Sequence, residues 1–261
     1  MPEGNQSGTY FSIDWIMKVA WFRFYEELND FLPSAKRKQS FPFTFTGNPS
    51  VKDMIESLGV PHVEIDMILV NGVSVDFNYK ISDKDLVSVY PVFESFDISD
   101  VTHLRNKPLR ETKFIPDVHL GKLVKFLRLF GFDTYYDKNI NDDELISISV
   151  AHKRIILTRD KGLLKNKRVT HGYWVRSTDP VAQFKEISGR FDLKSSLKPF
   201  TRCLECNCIL EDVDKEKISD LLLPKTIRYY REFKKCKGCD RIYWEGSHYE
   251  KMKKQIKRML D

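Results

Sequence analysis

Two short cysteine pairs, Cys203-Leu-Glu-Cys206 and Cys236-Lys-Gly-Cys239, stand 29 residues apart near the end of a 261-residue chain. Whatever the intervening residues do, matched CxxC knuckles draw four thiols to one tetrahedral point. Four thiolates in that arrangement select Zn²⁺. Each knuckle is a tight turn whose backbone amides can face sulfur, and Gly238 suits the second turn. One closed site leaves little use for either pair as a redox dithiol. The gap exceeds the shortest ribbon spacing, so an inserted hairpin or helix is expected within it. Cys208 is read as a bystander, the alternative being that it replaces Cys206. Five cysteines, four of them paired in this way, fit a reduced compartment.

Upstream, residues 113–197 read as repeated strand–helix units. Phe114–Asp117 is a strand. Val118–Phe130 is a helix with Leu120, Leu123, Val124, Leu127 and Phe130 at helical spacing, and Gly131 falls just past its end. Phe132–Tyr136 is a second strand. Asn141–His152 opens on Asp142, Asp143 and Glu144 and is a helix with Leu145, Ile148 and His152 on one side. Arg154–Thr158 is a short apolar strand of the type buried in a parallel sheet, and Gly172–Val175 is a fourth. Asp179-Pro180 starts a further helix, with Asp as N-cap and Pro at its first position. Such a run predicts a parallel sheet with right-handed crossovers.

Asp117 and Asp160 then lie at the carboxyl ends of strands, where open α/β sheets bind ligands. Hard carboxylate oxygens gathered there suit Mg²⁺ or Mn²⁺. The duller readings are that Asp142 and Asp143 only cap a helix and meet its dipole, that Asp179 is a cap and that Asp133 sits in a turn.

The first hundred residues differ in kind. Lys18–Tyr25 alternates, with Ala20, Phe22 and Phe24 on one face. Phe41–Thr46 is a second strand. Ser50 caps a helix with Val51, Met54, Ile55 and Leu58 inward and Gly59 at its end. Asn71-Gly72 turns a hairpin between Met67–Val70 and Val73–Phe77, and Leu86–Phe93 is a last strand. Two strands, helix, hairpin and final strand make a β-grasp, similar to the ubiquitin-like sulfur carriers of thiamine and molybdopterin synthesis. The Gly-Gly tail that carrier chemistry needs is missing, so an interaction or positioning module is expected instead.

Charge separates the two parts. Residues 1–100 carry 8 basic and 15 acidic side chains, and the remainder 35 and 22. A basic C-terminal portion is the footprint of a polyanion partner, the alternative being a solubility device. Lys122, Arg128 and Arg159 flank the acids and would hold phosphates. Arg228, Tyr229, Tyr230 and Arg231 either clamp single-stranded RNA or form a ribbon strand. His248 would touch RNA or the edge of the strand–helix domain, and Lys251–Arg258 is a basic helix that either follows a phosphate backbone or is simply solvated. The acidic β-grasp could dock a basic protein partner, or the basic remainder of its own chain. No apolar run reaches about 18 residues, so no membrane span is expected. With no targeting segment apparent, a cytoplasmic location is expected.

The motifs F-x-x-D-x-x-L-G-K-L, L-R-x-F-G-F-D, D-x-E-L and I-L-T-R-D, from Phe114 to Asp160, resemble the PIN-like RNase family named for the C-terminal domain of the mut-seven exonuclease. Ser149 departs from the small Ala more familiar in that family. The resemblance implies an α+β multi-domain chain: an N-terminal ubiquitin-like β-grasp, a central PIN-like α/β parallel sheet and a C-terminal Cys₄ zinc ribbon. The expected layout is a flexible tail over 1–16, the β-grasp over 17–96, a linker over 97–112, the RNase domain over 113–197 and the ribbon over 198–261. It also implies a Mg²⁺- or Mn²⁺-dependent ribonuclease with Asp117, Asp142, Glu144 and Asp160 as its acids. The rival reading is a non-catalytic RNA-binding or adaptor protein.

Overall fold

The computed structural model describes residues 17–91, 112–246, 249, 252 and 254. The expected tail, most of the linker and His248 lie outside these residues, as does most of the expected basic helix. The fold is α+β and forms two compact units; Pro61–Glu64 belongs with the second.

In the first unit, β1 (Lys18–Phe24) pairs antiparallel with β2 (Phe41–Phe45) and parallel with β5 (Leu86–Pro91). β3 (Ile65–Val70) lies between β5 and β4 (Val73–Ser74), giving the order β2-β1-β5-β3-β4 of a β-grasp. Alternation along β1 buries Ala20, Phe22 and Phe24 and leaves Trp21 outward. Helix α1 (Val51–Ser57) is capped by Ser50, which accepts from the Asp53 amide and donates to its carboxylate. Asn71 and Gly72 both take positive φ, as a two-residue hairpin turn requires. The returning strand is shorter than its apolar pattern predicts, because the chain turns again at Asp76, which accepts from the Asn78 amide.

The second unit holds a four-stranded all-parallel sheet, ordered β7-β6-β8-β9. Its strands are β6 (Lys113–Pro116), β7 (Asp133–Thr134), β8 (Ile155–Thr158) and β9 (Gly172–Trp174). Period-two alternation sends Phe114, Ile155 and Leu157 into one core with Leu123, Leu127, Phe184 and Ile187. These come from α2 (Gly121–Leu129) and α5 (Pro180–Arg190). Ile115 and Ile156 face the other core, with Leu145, Ile146, Leu163 and Leu164 from α3 (Asp142–His152) and α4 (Lys161–Leu164). Helices thus cover both faces, as a parallel sheet requires.

Two predicted elements differ in detail. The helix after Asp117 begins with a 3₁₀ turn, Val118–Leu120, before α2. The inward stripe of α3 is Leu145, Ile146 and Ser149, while His152 is exposed. Ser149 fits there because its hydroxyl donates to Arg154 O at 2.6 Å. Gly131 meets two demands: φ is +94°, and a Cβ would stand 2.3 Å from Lys198 O.

A three-stranded antiparallel ribbon, β10 (Leu210–Val213), β11 (Phe233–Cys236) and β12 (Ile242–Trp244), follows the sheet. The stretch between β10 and β11 contains a 3₁₀ segment, Lys215–Leu221, and α6 (Pro224–Tyr229). Arg228 and Tyr229 therefore end a helix and are not a ribbon strand. No helix among the described residues is long and apolar enough to cross a membrane.

Candidate active site and metal centre

Adjacent strands β6 and β8 both run out at the same edge of the sheet. Asp117 follows β6 and is buried, yet it forms no ion pair among the described residues. Its Oδ1 accepts from the His119 amide at 2.8 Å. Its Oδ2 accepts from the Thr158 hydroxyl at 2.5 Å and the Arg159 amide at 3.3 Å. Asp160 follows β8, is exposed, and caps α4 by accepting from the Gly162 amide at 2.7 Å. The Asp160 amide donates to Thr158 Oγ1 at 2.9 Å, so one hydroxyl links the two acids.

Helix α3 runs back from this edge to feed β8, so its N-terminus lies on the same side of the sheet. Its cap is Asn141, whose Oδ1 accepts from the Glu144 amide at 3.0 Å. That frees Asp142 and Asp143 from the capping role the dull reading gave them. Asp142 and Glu144 are exposed, and Asp143 pairs with Arg168.

No three of these carboxylates bring ligand oxygens within 4.8 Å of one another. The oxygen donors suit a hard cation that keeps several waters and takes only one or two carboxylates directly, as Mg²⁺ does. Asp117 and Asp160, which Thr158 links, are the pair with oxygens to offer such an ion.

The basic residues divide. Lys122 is exposed on the first turn of α2. Arg159 is exposed, and its guanidinium donates to Arg176 O at 3.2 Å and to Ser177 O. Arg128 corrects the sequence expectation. It is buried and donates to Thr134 O at 3.0 Å, Leu204 O at 3.1 Å and Glu205 O at 2.6 Å. Its donors face carbonyls, and it joins α2 to the first cysteine knuckle instead of holding phosphate. Tyr229 is exposed with Arg228 against its ring, and Arg231 is exposed in the same insert.

Asp133 is likewise not a turn residue. It lies in β7 and receives Arg154 at 2.6 Å and the Asn207 amide at 2.9 Å, with Arg202 at 3.7 Å. Burial pushes its carboxyl up, but the hydrogen bonds from Arg154 and Asn207 and the charges of Arg154 and Arg202 outweigh it and hold the group below its ordinary value.

The cysteines converge as their spacing predicts. The ligand sulfurs of Cys203, Cys206, Cys236 and Cys239 all lie within 4.8 Å of one another. Cys203 and Cys239 are 3.5 Å apart, and Cys206 and Cys236 are 3.2 Å apart. A tetrahedral zinc–thiolate site has sulfurs about 3.8 Å apart, so the four fit Zn²⁺ with little adjustment. Gly238 leaves the room they need: a Cβ there would stand 3.2 Å from Cys206 Sγ and 2.5 Å from Cys208 Sγ. Cys208 is exposed and outside the four. Burial raises the Cys203 thiol, but hydrogen bonds from the Tyr243 hydroxyl and the backbone at Cys206 and Glu205 bring it to about 6.

Thr158, Asn207 and Tyr243 were not singled out by sequence reasoning. Thr158 carried a signal as the polar last residue of an apolar strand, two positions before Asp160. Tyr243, whose hydroxyl is 3.1 Å from Cys203 Sγ, carried none.

Comparison with curated proteins gives no match, and neither does comparison with solved structures. Family models do match: the Mut7-C ubiquitin model covers residues 17–97 and the Mut7-C RNAse domain model covers residues 112–256. The second match alone spans more than half the chain, so this protein belongs to the Mut7-C RNAse domain family, with a Mut7-C ubiquitin domain preceding it.

Proposed function

We propose that this chain is a divalent-metal-dependent ribonuclease that hydrolyses RNA phosphodiester bonds. One observation supports the reading above the others. Asp117 is a buried carboxylate at a strand end with neutral donors around it and, among the described residues, no basic side chain paired to it. A buried anion of that kind calls for a cation from outside the chain.

Asp117 and Asp160 would hold Mg²⁺ or Mn²⁺, with Asp142 and Glu144 holding its outer waters. The bound ion supplies a water of lowered pKa and offsets charge on the phosphate. The protein's own residues do the rest. Thr158 fixes the rotamer of Asp117 and the backbone of Asp160. Lys122 and Arg159 hold flanking phosphates as exposed point and planar charges. Tyr229 and Arg231 offer a stacking and phosphate surface on the zinc ribbon. Zn²⁺ in the four cysteines is structural, since four protein ligands leave no open position.

The rival reading, a non-catalytic RNA-binding adaptor, has an observation in its favour: Asp117 and Asp160 each cap a helical turn. Labelled RNA incubated with the purified protein, with and without Mn²⁺, separates the two. Metal-dependent cleavage lost in Asp117→Asn and Asp160→Asn supports the enzyme. RNA binding without cleavage, unaltered by either substitution, supports the adaptor.

A further inference from the structure

Residues Pro61–Glu64 fall within the span of the ubiquitin model but pack in the second unit. Val63 is buried in the core with Ile115, Ile156, Leu164 and Val169. His62 Nε2 lies 3.0 Å from Val169 O. The glycine at 172 keeps this contact close, since a Cβ there would stand 2.5 Å from Leu164 Cδ2 and 3.4 Å from Val63 Cγ2.

Glu64, 1% exposed, accepts from the Trp174 backbone amide at 2.6 Å. Trp174 is the last residue of edge strand β9, and that amide faces away from β8. The Trp174 indole in turn donates to Arg159 O at 3.2 Å. Arg159 immediately precedes Asp160. Two hydrogen bonds therefore run from a residue remote in sequence to the loop carrying one of the acids.

We propose that Glu64 is a positioning residue of the nuclease site, acting through Trp174 to fix the Arg159–Asp160 loop. Val63 seats the segment, and the Glu64 acceptor sets where β9 ends. The indole passes that constraint to the loop. This assigns a catalytic purpose to residues within the ubiquitin-like span, and it rests on the nuclease reading above.

The test uses the full chain. Glu64→Gln retains an acceptor oxygen, whereas Glu64→Ala removes it. Glu64→Ala is expected to lower kcat about tenfold, with KM within about twofold, because small displacements of a catalytic group are costly. Amide hydrogen exchange at Trp174 and over 159–160 should speed up in that variant. Glu64→Gln should restore both readouts. Trp174→Phe cuts only the second link: kcat should fall similarly while the residue-174 amide stays protected. This second variant also decides the matter if Glu64→Ala fails to fold. Unchanged kcat and exchange in Glu64→Ala would overturn the proposal, as would loss in Glu64→Gln equal to that in Glu64→Ala. Asp160→Asn serves as control. If that control still cleaves RNA as the parent does, the assignment of Asp160 to the nuclease site falls, while exchange over 159–160 still decides whether Glu64 orders the loop.

Discussion

The Thr158 hydroxyl donates to Asp117 Oδ2 at 2.5 Å and at the same time accepts from the Asp160 amide at 2.9 Å. The end of β8 thereby ties together two acids that are 43 positions apart in the sequence. Thr158→Val conserves volume but removes the hydroxyl. It should cost about 1–3 kcal/mol of stability, the typical penalty for stranding a buried hydrogen-bonding group, and lower kcat by at least about tenfold. Thr158→Ser should restore most of both. Thermal unfolding and Mn²⁺-dependent cleavage read the two effects.

Arg128 and Lys122 should separate cleanly. Arg128→Ala opens a buried site and strands the carbonyls of Thr134, Leu204 and Glu205. A loss of about 3 kcal/mol is expected in urea unfolding. Lys122→Ala should leave stability within about 0.5 kcal/mol and reduce the salt slope of RNA binding by about 1. A reduced salt slope in a folded Arg128 variant would mean that residue meets RNA after all.

Asp133 gives a pH signature. Its carboxyl is depressed by Arg154, Asn207 and Arg202, so its contribution is fully present above the unfolded-state pKa of about 3.9. It is lost as pH falls through the lower folded-state value. Asp133→Asn should be less stable than the parent at pH 7, with the gap narrowing only below about pH 4. Thermal melts at a series of pH values measure it.

Removal of zinc should loosen more than the ribbon, because Arg128 binds the carbonyls of Leu204 and Glu205 inside the first knuckle. Cys236→Ser should bind less zinc than the parent and speed amide exchange in α2 as well as in β10–β12. Exchange confined to the ribbon would argue that the knuckle holds its shape without metal. Cys208→Ser should leave the zinc content unchanged.

Much of the fold was legible because its signals are local. Asn71-Gly72 specified its turn, Ser50 and Asp179 their caps, and the apolar run Ile155–Leu157 a buried strand. The four cysteines declared their site through spacing alone. Asp117 and Asp160 were legible as strand-end acids. Partnerships across long separations left no such mark. Nothing local to Arg128 distinguishes a surface cation from one satisfied by carbonyls 76 and 77 positions away. Asp133 looked like a turn for the same reason, its partners coming from Arg154, Arg202 and Asn207. The stripe of α3 was misjudged at His152 because Ile146 and Ser149 set the inward face.

The parallel sheet has two outer strands, and each presents a backbone N–H that a side chain takes up. Thr134 gives its amide to Asn207 at 2.9 Å, and Trp174 gives its own to Glu64 at 2.6 Å. Unprotected strand margins are templates on which separate molecules add to one another. A fragment cut to the bare sheet and its helices would therefore be a poor reagent, prone to self-association in concentrated solution, and expression trials should keep both flanking segments.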